Sequence, residues 1–314
     1  MTRILQQINI QYKIGLVASI AAIAVMIAIA SPMAAVSADT NPASPSGKSP
    51  TVSQSQLAAG CVAGSNTFWA NEAAFGGALL VKVDSCGHVL HSFSPASAPY
   101  SNGRGVTVND DGNVIYTALN GTGCGFCGDG RIHTMDQIGG SDKSTIPDPG
   151  GHGGPGIGAI DFQKGALYAV SYMPDSSGNQ TVYKLKPSTG AVLASCKIPG
   201  VDGGFDDSLA VRGTDFYTDN GEFSSHTLNQ YHLPTVPGGG ACTFVTSYTL
   251  PDGVTGIDFG TTGNLSTHLF AVTASSGLDS ICDLGVAPFS SIVSCESLPA
   301  GHSFEDISSY APLQ

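Results

Sequence analysis

Charge is the scarcest property of this 314-residue chain. Asp, Glu, Lys and Arg make up 11% of it, and only 12 of those residues are basic against 24 acidic. So few cations cannot build the basic face that a phosphate backbone or an anionic bilayer requires, which excludes nucleic acid and an anionic membrane as partners. Several catalytic signatures are missing too. There is no G-x-S-x-G nucleophile elbow, no H-E-x-x-H zinc helix and no phosphate-cradling glycine loop, so no organic cofactor is expected.

What is abundant is turn chemistry. Forty-one glycines and 18 prolines stand beside a hydrophobic share of 41%, a balance that favours many short strands joined by tight turns around a packed core. The N-terminus differs from the rest. Arg3 and Lys13 flank the start of an uncharged apolar run, Ile14 to Ala30, and Val36-Ser37-Ala38 supplies small residues before a cleavage point. Residues 1–38 therefore read as a signal peptide cut after Ala38, the alternative being an uncleaved N-terminal anchor. No cysteine follows that run closely enough for a lipid anchor. Residues 39–57, rich in Pro, Ser and Thr, read as a flexible linker, and residues 58–314 as a single domain. Removing Arg3 and Lys13 leaves ten basic against 24 acidic residues, a net charge of −14. Such a surface suits solubility or cation binding.

All eight cysteines (61, 86, 124, 127, 196, 242, 282 and 295) follow the leader. An even count in an exported chain points to disulfides. Cys282 and Cys295 fall on adjacent predicted strands and form the first expected pair; Cys61–Cys86 is the second. Cys124-Gly-Phe-Cys127 reads as a loop disulfide rather than, with His133 and His152, a zinc site, because its spacing matches no standard finger.

The dominant pattern is a repeat. Inner-strand anchors at Gly105, Ala159, Asp207, Gly256 and Asp306 lie 54, 48, 49 and 50 residues apart, and each interval holds four short strand patterns. A four-stranded antiparallel unit repeated radially is a propeller blade. The ends are complementary. Asn66–Glu72 lacks an inner partner, and Phe304–Tyr310 is an extra inner strand that can supply one and remove both open edges. The expectation is an all-β five-bladed β-propeller whose C-terminal strand closes the first blade, with six blades as the alternative.

The unit Phe205–Asn220, with its Gly turn and the strand ending Tyr217-Thr-Asp-Asn220, resembles the repeat of NHL, gluconolactonase-like and YVTN-type propellers. The resemblance implies the fold. Because those families include lactonases, a streptogramin lyase and binding proteins, it leaves the activity open. In gluconolactonase-like propellers, acidic and amide residues at the channel mouth hold a divalent metal. By residue type, Asn71-Glu72 and Asp219-Asn220 resemble such positions, though Asp219 also fits the start of the Asn220-Gly221 turn.

Aligned inner strands place Arg104, Gly158, Asp206, Thr255 and Glu305 in one channel ring, and the five anchors in the next. Asp206, Asp207, Glu305 and Asp306 are the expected metal ligands, with Ca²⁺ the cation that takes many carboxylate and carbonyl oxygens. The competing reading has these acids accept backbone N–H groups of neighbouring blades, with Arg104 neutralising one pair. Asn71, Glu72, Arg104 and Asp219 are candidate ligand contacts. His152 and His302, each just before an inner strand, are candidate bases. Two functions follow: an exported, monomeric propeller that binds or scaffolds an extracellular protein or a small molecule, or a metal-dependent hydrolase or lyase acting on a small molecule at the channel mouth.

Overall fold

The computed structural model describes residues 66–310, except 73–78, 85, 95–99, 122–127, 139–141, 151–155, 200–207, 220–225, 262 and 275–278. The leader, the linker, His152, Asp206, Asp207 and the cysteines at 61, 124 and 127 lie outside the described residues. Among those described there is no helix long and apolar enough to cross a membrane.

Twenty strands form five four-stranded antiparallel sheets. The first sheet combines β1 (Thr67–Glu72), β2 (Leu80–Asp84) and β3 (Val89–Phe93) with the last strand, β20 (Phe304–Tyr310). The second comprises β4 (Tyr100–Val108), β5 (Ile115–Gly121), β6 (Gly128–Met135) and β7 (Asp142–Ile146). The third runs β8 (Ile157–Gln163), β9 (Ala166–Ser171), β10 (Asn179–Leu185), β11 (Val192–Pro199), and the fourth β12 (Ala210–Arg212), β13 (Asp215–Asp219), β14 (Thr227–His232), β15 (Phe244–Thr249). The fifth has β16 (Val254–Phe259), β17 (Leu269–Thr273), β18 (Ser280–Asp283) and β19 (Ser294–Ser297).

This is the five-bladed propeller read from the repeat, and the six-blade alternative falls away. The closure is also the expected one. β20 lies antiparallel to β1, with Thr67 opposite Tyr310, Ala70 opposite Ile307 and Asn71 opposite Asp306, so the two chain ends share one blade and neither is left as an open inner edge.

Each blade is too thin to bury its own apolar faces. The described core accordingly divides into five clusters, one at each junction between neighbouring blades. Trp69, the chain's single tryptophan, is fully buried between the first and second blades beside Leu80, Val106, Ile115 and Met135. Burial of a side chain of that size contributes about 2–3 kcal/mol. Inner and second strands are sandwiched on both faces, so β1, β9 and β16 are buried along their whole length. Outer strands face water on one side, and β15 alternates accordingly.

Two disulfides close within the described residues. Cys282–Cys295 ties β18 to β19, as expected from their adjacency. Cys196–Cys242 was not anticipated; it joins β11 of the third blade to the loop before β15 of the fourth, clamping a junction from outside. Cys86 is also disulfide-bonded; its expected partner, Cys61, is outside the described residues.

The crowded axis explains the small anchors. An added Cβ at Gly256 would stand 2.4 Å from the Cα of Asp306, and one at Gly105 would stand 2.9 Å from the Ile160 amide nitrogen. Neighbouring inner strands pass too closely there for a side chain.

Candidate functional site at the channel entry

The inner strands β4, β8, β12, β16 and β20 run in one direction around the channel. Their first residues mark its entry end and their last residues its exit end. The entry end is built from a repeated irregularity. Gly103 and Gly105 pair with consecutive residues Leu119 and Ala118 of β5, so Arg104 is an extra residue without a partner of its own. The same skip isolates Gly158 in β8, Thr255 in β16 and Glu305 in β20. A β-bulge re-aims the side chain of its extra residue and breaks the ladder locally. Four described inner strands therefore carry a bulge at the position predicted for the first channel ring. The fifth equivalent, Asp206, lies outside the described residues.

Two bulged residues meet. The Arg104 guanidinium donates to Glu305 Oε1 in a buried ion pair, and its flat face lies 4.5 Å from the centre of the Tyr172 ring. Guanidinium stacking on an aromatic face suits a desolvated cation. The third, Thr255, is fully buried, and its hydroxyl finds no hydrogen-bond partner among the described residues. Asn71 is likewise buried. Its Oδ1 accepts the Asp306 amide at 3.1 Å, while its Nδ2 has no partner among the described residues. Leaving a buried polar group unsatisfied costs about 1–3 kcal/mol, and in a native structure such a group calls for a water or a ligand.

The two described carboxylates expected to hold Ca²⁺ are otherwise engaged. Glu305 is balanced by Arg104. Asp306 accepts the Ile307 amide through Oδ1 and the Val106 amide of the next blade through Oδ2, both at 2.9 Å. Its acidity is pushed well down, its pKa rising far above the usual carboxylate value, mainly because it is fully buried. Glu305 and Asp306 thus have protein partners for their oxygens, while the other two expected ligands, Asp206 and Asp207, lie outside the described residues. Asp219 is also committed. Its Oδ1 accepts the Ser208 hydroxyl at 3.0 Å, and its amide donates to Ser208 Oγ at 2.9 Å. This reciprocal pair ties β13 to the chain entering β12.

Glu72 and His302 form the accessible part of the entry. His302 Nδ1 lies 2.6 Å from Glu72 Oε1, and the Leu79 amide donates to Oε2 at 3.1 Å. The His302 side chain is 38% exposed and that of Glu72 11%. The imidazole is thus anchored through Nδ1. A further acidic group of metal-binding type, Asp84, Cys86 and His88, is unsuited to an ion because the cysteine sulfur is already in a disulfide.

The exit end holds acids the sequence reading passed over. Asp161 of β8 accepts the Val211 amide of β12 at 2.5 Å and that of Phe162 at 2.6 Å. Asp258 of β16 accepts the Ser309 amide of β20 at 2.6 Å and that of Phe259 at 2.7 Å. The signal was available: Ile160-Asp-Phe162 and Ile257-Asp-Phe259 repeat a charged residue at the same offset in two otherwise apolar inner strands. Both carboxyls border a cavity of about 280 Å³.

No family model matches the chain, and no curated protein matches it. Solved structures that share its shape do so with little identity. A chain of a nidogen/laminin complex aligns over 79% of this chain and 99% of its own, at 10% identity and a TM-score of 0.44. The β-propeller domain of Cps50 (Swd1) from Myceliophteria thermophila covers 78% and 90%, at 8% identity and 0.40. The WD40 β-propeller domain of Doa1 covers 75% and 67%, at 12% and 0.39. The propeller assignment rests on the strand order of this chain rather than on these likenesses.

Proposed function

We propose that this chain is an exported β-propeller that binds, rather than transforms, its target, and that the channel entry is its binding end. One observation carries the reading. The bulge repeated in four inner strands marks a ring of irregular positions at the entry, and two buried polar groups there, Thr255 Oγ1 and Asn71 Nδ2, have no hydrogen-bond partner among the described residues. The anchored, partly exposed His302 adds an accessible contact. Hydroxyl-rich small molecules and peptide backbones offer the donors and acceptors such a mouth would take. Export is supported by the leader and by the disulfides, which persist in oxidising compartments. The resemblance to NHL and gluconolactonase-like repeats is compatible with binding members of those families.

The test is a saturation-transfer NMR screen of monosaccharides, sugar lactones and amino acids against the full chain, His302→Ala and Thr255→Val. The reading expects ligands that are recovered unchanged and whose signal weakens in both variants. A lactone that opens in the presence of wild type, but not of His302→Ala, would overturn it in favour of a hydrolase. A parallel thermal-shift series with EDTA and Ca²⁺ expects no displacement of Tm; a rise with Ca²⁺ that Asp207→Ala abolishes would restore the calcium site.

A further inference from the structure

The two ends of the channel differ in what their arginines do. Arg104 at the entry is spent on Glu305. Arg212, the last residue of β12, lies over the Phe259 ring at 5.1 Å, and its guanidinium forms no hydrogen bond or ion pair among the described residues. A half-buried guanidinium, with five N–H donors, therefore borders the exit cavity of about 280 Å³ without an acceptor. Acids border the same cavity and do not pair with it. Asp110, exposed in the turn after β4, accepts the amides of Lys164 and Gly165 at 3.3 and 2.8 Å, one on each oxygen. Asp161 carries the Phe162 and Val211 amides and the Thr107 hydroxyl. An ionised carboxylate offers about four lone-pair sites, so both acids can take a further donor. Phe162, Val211 and Phe259 give the cavity apolar wall.

We propose that the exit cavity is a binding site for a small apolar α-amino acid, its carboxylate received by Arg212, its ammonium by Asp110 and Asp161, and its side chain by the apolar wall. This is a second site, at the opposite end of the channel from the entry. Both signs of charge border one space without neutralising each other, and the ligand must supply both complements. A lone anion would meet Arg212 but also the repulsion of the acids. A lone cation would leave the guanidinium without an acceptor. A zwitterion satisfies the two together. The planar guanidinium matches a carboxylate through two parallel bonds, and its stacking on Phe259 restricts the plane it presents. The volume, about 280 Å³, lies near the lower end of the usual range for ligand pockets, roughly 300 Å³ and upward, which limits the ligand to a small molecule.

Equilibrium dialysis of labelled L-valine against the full chain, with isobutylamine and isovalerate as competitors, tests the site. Isobutylamine is valine without its carboxylate and isovalerate is valine without its ammonium, so each keeps the apolar part and one charge. Dialysis is run at about pH 8, because burial, the largest influence, raises Asp161 to about 7. A carboxyl so raised contributes stability in acid and loses it as pH rises through the folded value, so it is the ionised cavity that gains from a cation. Wild type is expected to bind valine saturably below about 10 mM, with each competitor weaker by about tenfold or more. Valine that fails to saturate overturns the proposal. So does a competitor as tight as valine, which would make the cavity a site for one charge only. Arg212→Gln should weaken valine by about tenfold or more and leave isobutylamine as in wild type. Asp110→Asn, at an exposed turn, should weaken valine and leave isovalerate as in wild type. Valine binding that persists undiminished in both variants overturns the assignment. His302→Ala, at the opposite end, is expected to bind valine as wild type does; loss there would overturn the placement at the exit.

Discussion

At the entry end of the channel a buried carboxylate, Glu305, meets a buried guanidinium, Arg104. At the exit end two buried carboxyls, Asp161 and Asp258, accept backbone amides of neighbouring blades. The entry pair consists of bulged residues that the ladder does not need, whereas the exit pair consists of in-register residues that stitch blades together. The difference separates two ways of keeping acid inside a protein. An ion pair holds its charge across the ordinary pH range and is vulnerable to loss of either partner. An amide-held acid has no cation to lose and depends on the donors of the neighbouring strand.

The largest expected effect comes from breaking the entry pair. Arg104→Met leaves Glu305 buried without its cation and should cost about 3–5 kcal/mol in urea denaturation. Adding Glu305→Leu to Arg104→Met should recover most of that loss, since an apolar pair of similar volume replaces a buried ion pair at little cost. A single-variant cost within about 0.5 kcal/mol, the range of ordinary surface changes, would show that the pair is not the entry's fastening.

Next in size is Gly256→Ala, which tests whether the entry is fixed by backbone proximity as well as by charge. Its new methyl would lie 2.4 Å from Asp306 Cα and 2.7 Å from the Glu305 carbonyl oxygen, both main-chain atoms. The expected destabilisation is about 1–3 kcal/mol. A neutral outcome would mean that β16 and β20 can part without loss.

The exit end offers a smaller perturbation. The Thr107 hydroxyl lies 3.4 Å from Asp161 Oδ1 and 3.3 Å from Ser308 Oγ. Thr107→Val keeps the shape and removes the hydroxyl, at an expected cost of about 1 kcal/mol at neutral pH. Losing a donor to Asp161 should also raise that acid's pKa further, so the decline in thermal stability should extend to a higher pH in the variant than in wild type.

These two ends were unequally legible in the sequence. The blade count and the β1–β20 closure could be read because repetition averages over local irregularity: five inner-strand patterns near a 50-residue spacing outweigh any one ambiguous strand. The ring position of Arg104, Glu305 and Thr255 could be read for the same reason. What those residues do could not be, because a one-residue bulge leaves no mark in a hydrophobic pattern and decides which side chains meet. The Cys196–Cys242 bridge was hidden because it joins a strand of one blade to a loop of the next, and sequence adjacency favours pairs such as Cys282–Cys295. Asp161 and Asp258 stand in a repeated Ile-Asp-Phe that matches no catalytic or metal-ligand pattern. A charge within an apolar inner strand is expensive to bury without partners, and that expense was the available clue.

The smallest expected effect fixes the acid side of the pH profile and so isolates the exit end on the alkaline side. Asp175 sits at the surface in the turn before β10. It accepts Lys197 Nζ at 2.7 Å and the amides of Ser177 and Asn179 at 2.8 and 3.0 Å. Led by the Lys197 bond, these contacts pull its pKa down to about 2. Its sign is therefore opposite to that of Asp161. A depressed carboxylate contributes stability above its unfolded pKa, and that contribution is lost as pH falls from about 4 through about 2. Solvent screening keeps the effect modest. Asp175→Asn should lower Tm slightly at neutral pH and flatten the acid limb, while leaving the alkaline limb as in wild type. Thermal scans at about pH 2.5, 4, 6 and 8.5 on wild type, Asp175→Asn and Thr107→Val separate the two limbs. If Asp175→Asn altered the alkaline limb, or Thr107→Val only the acid one, the division between a charge-paired surface and an amide-held exit would not hold.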